Sequence, residues 1–346
     1  MRVKLGDVCE RGTSNLKLSD VSEKNGEFSV FGASGYIGSV DFYQQGYPYV
    51  AVVKDGAGIG RAMLCPGKTS VIGTMQYLLP KDNILPKYLF YVVKYMNLEK
   101  YFTGATIPHI YFKDYKNEEF NFDFWERQVE IVSVLSKCEK VIDLCKQELQ
   151  LLDKLIKARF VELFGDPVSN SYGLPEATLP DLGEFGRGVS KHRPRNDIKL
   201  LGGKYPLIQT GDVANAGLYI TSYSSTYSEL GLKQSKMWDK GTLCITIAAN
   251  IAKTAILEFD ACFPDSVVGF IANERTNNIF VHYWFSFFQA ILESQAPESA
   301  QKNINLKILS ELKVIVPEKR KQDQFASFVK LTDKSGFVER FPEFSL

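Results

Sequence analysis

The sequence predicts an α+β protein in which two similar domains of mixed helix and strand follow one another, separated by a long helix of the coiled-coil type. The 346 residues are too many for one ordinary core and suit two domains of roughly 120–150 residues each. Part of the chain repeats itself, and an uninterrupted seven-residue pattern lies between the copies. The predicted boundaries are residues 1–123 for the first domain, 124–165 for the central helix, 166–318 for the second domain, and 319–346 for a shortened C-terminal helix and tail.

The repeat is clearest where residues 110–135 align with residues 304–329 without a gap, at a constant offset of 194 positions. The aligned pairs are apolar, apart from one pair of glutamines: Ile110 and Ile304, Phe112 and Leu306, Phe120 and Val314, Phe122 and Val316, Gln128 and Gln322, Ile131 and Phe325, and Leu135 and Val329. Weaker matches precede them in the same order: 4–8 with 178–182, 28–35 with 205–212, 49–64 with 243–257, and 86–96 with 280–290. Such self-similarity indicates two copies of one domain, each followed by a helix.

Within each copy, short runs of β-branched and aromatic residues predict strands, for example Tyr49–Val53 and Leu243–Ile247. Gly, Pro and Asn between such runs predict turns. The longer apolar segments at 87–98 and 280–292 predict helices. Each copy is therefore expected to combine sheet and helix.

The segment between the copies predicts one continuous helix. Residues 125–164 contain no Gly or Pro, and Gly165 with Pro167 marks the end of the helix. Its apolar residues alternate at steps of four and three, as the seam of a coiled coil requires: Ile131, Leu135, Cys138, Ile142, Cys145, Leu149, Leu152, Ile156 and Leu163. At about 1.5 Å per residue the helix is roughly 60 Å long. The second copy begins a similar helix at residues 320–332, which is expected to be much shorter because Gly336 and Pro342 follow.

Composition narrows the class of protein without identifying a partner. The 41 Lys and Arg against 40 Asp and Glu give a net charge of +1, so any surface for a polyanion must come from local clustering. The six cysteines include no CxxC pair and no apolar leader is evident, which favours reduced thiols in a cytoplasmic protein. The most apolar stretch, 279–292, is too short to span a membrane.

Residue patterns of common catalytic sites are absent from the sequence. There is no Asn- or Asp-Pro-Pro-aromatic element of an amino-methyltransferase and no GxSxG motif. His109, His192 and His282 lack Cys or acidic partners at metal-ligand spacing. Asp265 and Glu274 lack the Glu-x-Lys that a nuclease pattern needs, which favours structural roles for both. Neither a catalytic residue nor a metal site is predicted.

The order of parts resembles the specificity subunit of Type I restriction-modification systems over nearly the whole chain. The segments that carry this resemblance are the end-of-domain stretches GATIPHIYFKDYKNEEFNF (104–122) and SAQKNINLKILSELKVIVP (299–317), the helix starts WERQVEIVSVL (125–135) and KRKQDQFASFV (319–329), and the helix ending LIKARFVELFGDP (155–167). One departure is the short last helix, since the family's last helix usually mirrors the first in length.

The resemblance implies a function in phage defence. In that family each recognition domain reads one half of a split, asymmetric target in double-stranded DNA. Methylation subunits, two of them here, bind S-adenosylmethionine and pack against the helices, and separate restriction subunits cut DNA after translocation that uses ATP and Mg²⁺. The chain itself would then be a non-catalytic, cytoplasmic specificity subunit of an adenine methyltransferase and endonuclease complex, with no cofactor of its own and no membrane contact.

The strongest candidate for DNA contact is the densest basic segment of the chain. It comprises Arg187, Lys191, His192, Arg193, Arg195, Lys199 and Lys204, with Asp197 opposing them. Such clustering can neutralise several phosphates, which makes affinity fall steeply with salt. The alternative interpretation is a solvated loop.

Turn and loop residues supply the other candidates. The polar side chains at the two end-of-domain turns are Thr106, His109, Gln301, Lys302 and Asn303, which suit either DNA contact or turn formation. The glycine-rich loop 54–61 carries Lys54 and Arg61, and its counterpart carries Asn250 and Lys253. This loop lacks a Walker ending, which favours a strand-to-strand turn. Tyrosines in polar stretches, namely Tyr36, Tyr43, Tyr223 and Tyr227, are candidates for ring contacts with sugar or base.

Two other functions remain open at this stage. Paired domains on a coiled coil also suit an adaptor that binds proteins, and an enzyme with an unrecognised active site is a third possibility. Charge reversal at Arg193 and Arg195 separates the first two, because an adaptor would keep the same DNA affinity at low salt.

Overall fold

The computed structural model of the chain has an α+β fold, as predicted, and describes residues 1–22, 26–104, 108–195, 197–248, 251–295 and 304–332. Contacts divide the chain into two compact units, Met1–Leu144 and Cys145–Leu346. The predicted domain boundaries differ from this division, which falls within the long helix.

The first unit is built from short strands with helices between them. In chain order its elements are β1 (Arg2–Lys4), α1 (Leu5–Val8), β2 (Cys9–Thr13), α2 (Leu18–Ser22), β3 (Phe28–Gly32), β4 (Gly35–Val40), β5 (Tyr49–Val53), β6 (Ala62–Cys65), β7 (Ser70–Val71), β8 (Met75–Pro80), α3 (Pro86–Tyr95), α4 (Phe112–Tyr115) and β9 (Glu119–Asn121). The long helix α5 (Trp125–Phe164) follows.

The core of the first unit lies on both faces of one antiparallel sheet with strand order β2-β8-β5-β6. Because successive side chains of a strand point to opposite faces, Val50 and Val52 of β5 join a cluster with Leu89 of α3. Tyr49 and Ala51 join a second cluster with residues of the smaller sheet β4-β3-β7. The continuous apolar run of β5 thus reflects burial on both faces.

The second unit repeats these parts with insertions. Its elements are β10 (Glu176–Ala177), α6 (Leu179–Leu182), β11 (Gly183–Arg187), β12 (Leu201–Leu207), α7 (Thr210–Asn215), β13 (Tyr219–Ile220), β14 (Ser225–Tyr227), α8 (Glu229–Lys233), β15 (Met237–Trp238), β16 (Leu243–Thr246), β17 (Thr254–Leu257), β18 (Ala261–Cys262), β19 (Val267–Ala272), α9 (Asn278–Gln295), α10 (Leu306–Glu311), β20 (Val314–Ile315) and α11 (Lys319–Leu331).

Strand pairing confirms that the two units are copies of one domain. The order β11-β19-β16-β17 of the second unit corresponds to β2-β8-β5-β6, with β13 added at the edge, and β12 pairs with β14 and β18 as β3 pairs with β4 and β7. Leu243 and Ile245 of β16 pack with Phe280 and Trp284 of α9, as β5 packs on α3. The predicted helices at 87–98 and 280–292 are α3 and α9.

The long helix is unbroken from Trp125 to Phe164, as the sequence predicts. Gly165 ends it in a left-handed conformation with φ +75°, and its N–H donates to the carbonyl of Val161 at 2.8 Å. Such a glycine is a common C-terminal cap because other residues are strained at this φ. A Cβ at this position would also lie 2.5 Å from Oγ of Ser171.

The buried positions at the C-terminal end of this helix coincide only in part with the predicted seam. The buried positions there are Ile156, Phe160 and Phe164, spaced by four, whereas the seam series contains Leu163, which is only half-buried. The reason is that a straight helix packed on a domain follows its natural period of 3.6 residues, and the heptad period applies only to a supercoiled partner. Phe160 and Phe164 belong to the core of the second unit.

Elsewhere the seam is partly open to solvent. Leu135 and Cys138 are exposed, and the half-buried seam residues are Ile131, Ile142, Cys145, Leu149 and Leu152. Ile131 packs against the core of the first unit. A coiled-coil partner for this stripe stays a prediction, and the residues beyond Thr332 that bear on the length of the second helix lie outside the described segments. Among the helices that the structure describes, none has the length and apolarity to cross a bilayer.

Candidate nucleic-acid interface

In the first unit, the glycine-rich loop 54–61 lies against the end-of-domain turn. The N–H of Gly56 donates to the carbonyl of Pro108 at 3.0 Å, and the N–H of Ile110 donates to the carbonyl of Lys54 at 2.9 Å. The loop joins the antiparallel strands β5 and β6, which agrees with the predicted strand-to-strand turn. Gly60 has φ +80°, and a Cβ on it would lie 2.5 Å from the backbone nitrogen of Glu99, so close packing explains this glycine without a nucleotide.

The second unit brings together the equivalent segments. The N–H of Ile304, the counterpart of Ile110, donates to the carbonyl of Ile247 at 3.0 Å. The N–H of Thr246 closes the adjoining turn by donating to Lys253 at 2.9 Å, as Val53 does to Arg61 in the first unit. Each unit therefore brings together one loop and one turn from distant parts of the sequence.

The predicted residues of the first unit surround an aspartate. His109 Nδ1 lies 2.8 Å from Asp55 Oδ1, and Lys54 Nζ lies 3.8 Å from Asp55 Oδ2. The ring of His109 is stacked on Tyr111 with centroids 6.2 Å apart. Arg61 is exposed and donates to the carbonyl of Ala33 at 3.3 Å. Thr106 lies outside the described residues.

The second unit holds a cavity of about 660 Å³ beside the loop and the turn. Part of the basic segment contributes to its wall through Arg187 and Arg195. The other lining residues are Ser190, Leu201, Leu207, Gln209, Thr210, Tyr227, Ile247, Ala248, Pro264, Asp265, Ser266, Ile304, Asn305 and Ile308. The lining combines apolar side chains with polar and cationic ones, which is typical of a binding surface.

Several cations of the basic segment are already engaged in ion pairs. Asp265 forms ion pairs with both Arg193 and Arg195, and Lys204 Nζ lies 3.2 Å from Glu229 Oε1. Besides Asp197, these cations meet carboxylates that are distant in sequence and are brought close by folding.

Other members of the segment differ in their surroundings. His192 Nε2 lies 3.1 Å from Asp197 Oδ2, as its neighbourhood in sequence implies. Lys191 and Lys199 have exposed side chains. Arg187, on β11, is exposed and makes no ion pair with any residue in the described part of the chain.

The structure corrects the interpretation of Tyr227, whereas the DNA contacts predicted for Tyr223 and Lys253 stay predictions. Tyr227 is only 2% exposed and lies on strand β14 rather than in a polar loop, so its ring forms part of the cavity wall. Tyr223 is 46% exposed and packs edge-on against Phe259. Lys253 is half-buried and lines a different cavity, of about 870 Å³. The sites Asn250, Gln301, Lys302 and Asn303 lie outside the described residues.

Several residues that line the 660 Å³ cavity were not predicted from the sequence to contact DNA. Asn305 caps helix α10 by accepting from the N–H of Ile308 at 2.9 Å and lies next to the turn. Gln209 and Thr210 begin helix α7 at the same cavity. A polar residue three positions before a helical N–H is the pattern of an N-cap, and for Asn305 this signal was available in the sequence.

The second cavity is lined by a half-buried histidine, His282. His282 Nδ1 lies 2.9 Å from Thr254 Oγ1, and burial lowers the pKa of its imidazole to about 4. The ring is therefore neutral at pH 7. Among the residues that the structure describes, no three His, Cys, Asp or Glu side chains are grouped as metal ligands.

The model of one protein family matches the chain in both halves. It is the type I restriction modification DNA specificity domain, and it covers residues 1–154 and 176–337. The chain belongs to this family. It is thus a member of the type I specificity subunits, and the adaptor interpretation is not favoured.

Known specificity subunits are similar to the chain at low identity. The putative type I restriction enzyme MjaX specificity subunit of Methanocaldococcus jannaschii is 22% identical over 299 residues, which is 82% of this chain and 70% of the relative. The MjaIX specificity subunit of the same organism is 26% identical over 179 residues, 46% of this chain and 40% of the relative. A crystal structure of the type I S subunit from M. genitalium has a TM-score of 0.62 at 17% identity, covering 99% of this chain and 91% of that one, and it supports the same fold.

Proposed function

We propose that this specificity subunit reads a bipartite, asymmetric target in double-stranded DNA, one half with each unit. The observation that carries the proposal is the twofold match to a DNA specificity domain at residues 1–154 and 176–337. The repeated pairing of a loop with the end-of-domain turn supports it, because it gives each unit an equivalent surface. Duplex DNA repeats its face about every 34 Å, so two similar readers suit two half-sites.

The cations at these surfaces supply the contacts to DNA. In the first unit we assign contacts to Lys54, Arg61 and His109, and in the second to Arg187 and Arg195. Phosphate contacts position the protein, whereas contacts to base edges give the sequence preference. We expect Arg187 to contact phosphate because it is exposed and makes no ion pair within the described segments. The domain boundaries 1–123, 124–165, 166–318 and 319–346 remain part of the proposal.

The catalytic steps belong to partner subunits under this proposal. Two methylation subunits with S-adenosylmethionine would pack against the helices, and restriction subunits would use ATP and Mg²⁺, all in the cytoplasm. The apolar seam of α5, partly open at Leu135 and Cys138, supports a helical partner because a stripe with that period is suited to another helix. The specificity subunit itself would contribute recognition and no bond-breaking step.

Footprinting of the full chain with its copurifying subunits tests the proposal. We expect two protected tracts of duplex separated by an unread spacer, with methylated adenines mapped genome-wide at the same target. Arg187→Glu should weaken DNA binding at low salt, because it replaces an exposed cation with an anion. Lys240→Glu is the control, since Lys240 already pairs with Glu258 at 2.9 Å. A single continuous tract, or unchanged affinity for Arg187→Glu, would contradict it.

A further inference from the structure

A carboxylate lies among the arginines of the second unit. Asp265, in the turn between β18 and β19, accepts a hydrogen bond from Nη2 of Arg195 through Oδ1, and its Oδ2 lies 3.4 Å from Nη2 of Arg193. A surface that only held phosphates would be weakened by an anion at this point, because the anion repels the DNA backbone. We therefore expect Asp265 to act on the two arginines rather than directly on DNA.

The two arginines are not equivalent. Arg193 Nη1 donates to the carbonyls of Ser190 at 2.6 Å and His192 at 2.8 Å. The guanidinium of Arg193 is therefore bound to the neighbouring backbone. Arg195 lines the cavity, and its side chain is 45% exposed. A guanidinium has five N–H groups. One bond to Asp265 therefore leaves Arg195 with donors for a ligand.

A guanidinium held in one orientation matches a ligand with two acceptors side by side. In duplex DNA the O6 and N7 atoms of guanine present such a pair in the major groove, and arginine contacts them in a bidentate way. A phosphate can also be bound by a lysine, which acts as a point charge and needs no fixed orientation of a fork. The carboxylate also reduces the rotamer freedom that Arg195 would lose on binding.

We propose that Asp265 is a positioning residue that fixes Arg195 to read a guanine in the half-target bound by the second unit. The inference rests on the proposed function, since it assigns base recognition to a surface of a DNA-binding subunit. Arg195 makes the base contact, and Asp265 acts through Arg195. Asp265 also disfavours phosphate at this position, so it lowers affinity for unselected DNA and increases discrimination.

Selection from a random duplex library tests this assignment. The selection is carried out with the full chain and its copurifying subunits, and the bound duplexes are sequenced. Four forms of the chain are compared: the wild type, Arg195→Lys, Asp265→Asn and Glu184→Gln. Arg195→Lys keeps the charge and removes the fork. Glu184→Gln is the matched control for Asp265→Asn, because it also removes one negative charge from an ion pair in the same unit, with Lys236 at 2.7 Å.

We expect the wild type to enrich two separated tracts, with a G·C pair in the tract read by the second unit. Arg195→Lys should reduce the preference for that pair by about tenfold or more and leave the other tract unchanged. Asp265→Asn should reduce the same preference and bind unselected duplex more tightly, whereas Glu184→Gln should keep the wild-type preference. Thermal unfolding of each variant shows whether it folds. If Asp265→Asn does not fold, Arg195→Lys still tests whether Arg195 contacts the guanine.

The outcomes separate the two proposals. If the wild type enriches no sequence, the proposed function fails. If the wild type enriches two tracts and Arg195→Lys retains the same preference at every position, the role of Arg195 and Asp265 is overturned while the proposed function stands. Loss of preference spread evenly over both tracts would also overturn it, because a positioning residue acts only on the base that its arginine contacts.

Discussion

Gln128 and Gln322 lie 194 positions apart in the chain and anchor their helices in the same way. Both are fully buried. Gln128, near the start of α5, accepts from the N–H of Leu85 at 2.9 Å and donates to the carbonyls of Asn83 at 3.0 Å and Asp123 at 2.8 Å. One side chain thus ties the loop before α3 to the start of the long helix.

Gln322 makes the equivalent set of contacts in the second unit. It accepts from Thr276 Oγ1 at 2.8 Å and donates to the carbonyls of Arg275 at 3.0 Å and Pro317 at 2.8 Å. The partners are the residues before α9 and before α11, as in the first unit. A glutamine is required here because only an amide offers an acceptor and two donors in one plane.

Replacing either glutamine with leucine should lower the free energy of unfolding by about 2 kcal/mol or more, because a buried carbonyl left without a donor costs about 1–3 kcal/mol. Urea denaturation of the full chain measures the loss. Gln147→Leu, at an exposed position of the same long helix, is the control and should change stability little. Equal losses for Gln128→Leu and Gln147→Leu would show that the buried contacts do not matter.

The last turns of the long helix are expected to stabilise the second unit mainly through Phe160. Its ring is fully buried and lies 5.3 Å from Phe280 and from Phe325, centroid to centroid. Phe160→Ala should cost about 3–5 kcal/mol, since a large core side chain is removed and a cavity remains. Leu151→Ala, at a position 63% exposed on the same helix, should cost less than about 0.5 kcal/mol. Denaturant unfolding measures the free energy of unfolding of both variants. Similar losses for Phe160→Ala and Leu151→Ala would contradict this expectation.

Much of the architecture follows from local patterns in the sequence. The repeat, the continuous helix and the end at Gly165 depend on residue spacing and on the conformational limits of Gly and Pro, and all are observed. The position of Gln322 opposite Gln128 was also apparent from alignment, although its hydrogen bonds were not.

The arrangement of charges could not be predicted from the sequence. Arg195 and Asp265 are separated by 70 positions, and only folding brings them together. For the same reason Tyr227 was expected on the surface, since its polar neighbours in sequence do not reveal that strand β14 buries its ring. The surroundings of site residues are therefore set by long-range contacts, whereas the helices and strands that carry them follow mostly from local sequence.

The half-buried His282 should make the second unit less stable in mild acid. Burial lowers the pKa of its imidazole from 6.5 to about 4, so between these values the unfolded chain binds a proton that the folded chain does not. Stability from this group is therefore present above about pH 6.5 and is lost as the pH falls toward 4. The expected loss between pH 7.5 and pH 5 is about 2 kcal/mol.

Comparison of wild type with His282→Gln isolates this effect, because the other titrating groups are shared. Urea unfolding at pH 7.5 and at pH 5 gives the pH-dependent loss for each protein. The loss should be smaller in His282→Gln, even where this variant is less stable at both pH values. An identical loss in the two proteins would mean that His282 has the same pKa in the folded and the unfolded chain, which would contradict the expectation.

Arg61 offers a test of phosphate contact in the first unit. Its side chain is exposed at the loop that meets the end-of-domain turn, so we expect Arg61→Ala to weaken binding to all duplex sequences alike. Each phosphate contact contributes about 0.9 to the slope of log affinity against log salt, and the variant should lose about that much. Lys140→Ala, an exposed lysine on the long helix, is the control and should keep the wild-type slope. A changed base preference with an unchanged slope would instead make Arg61 a base-reading residue.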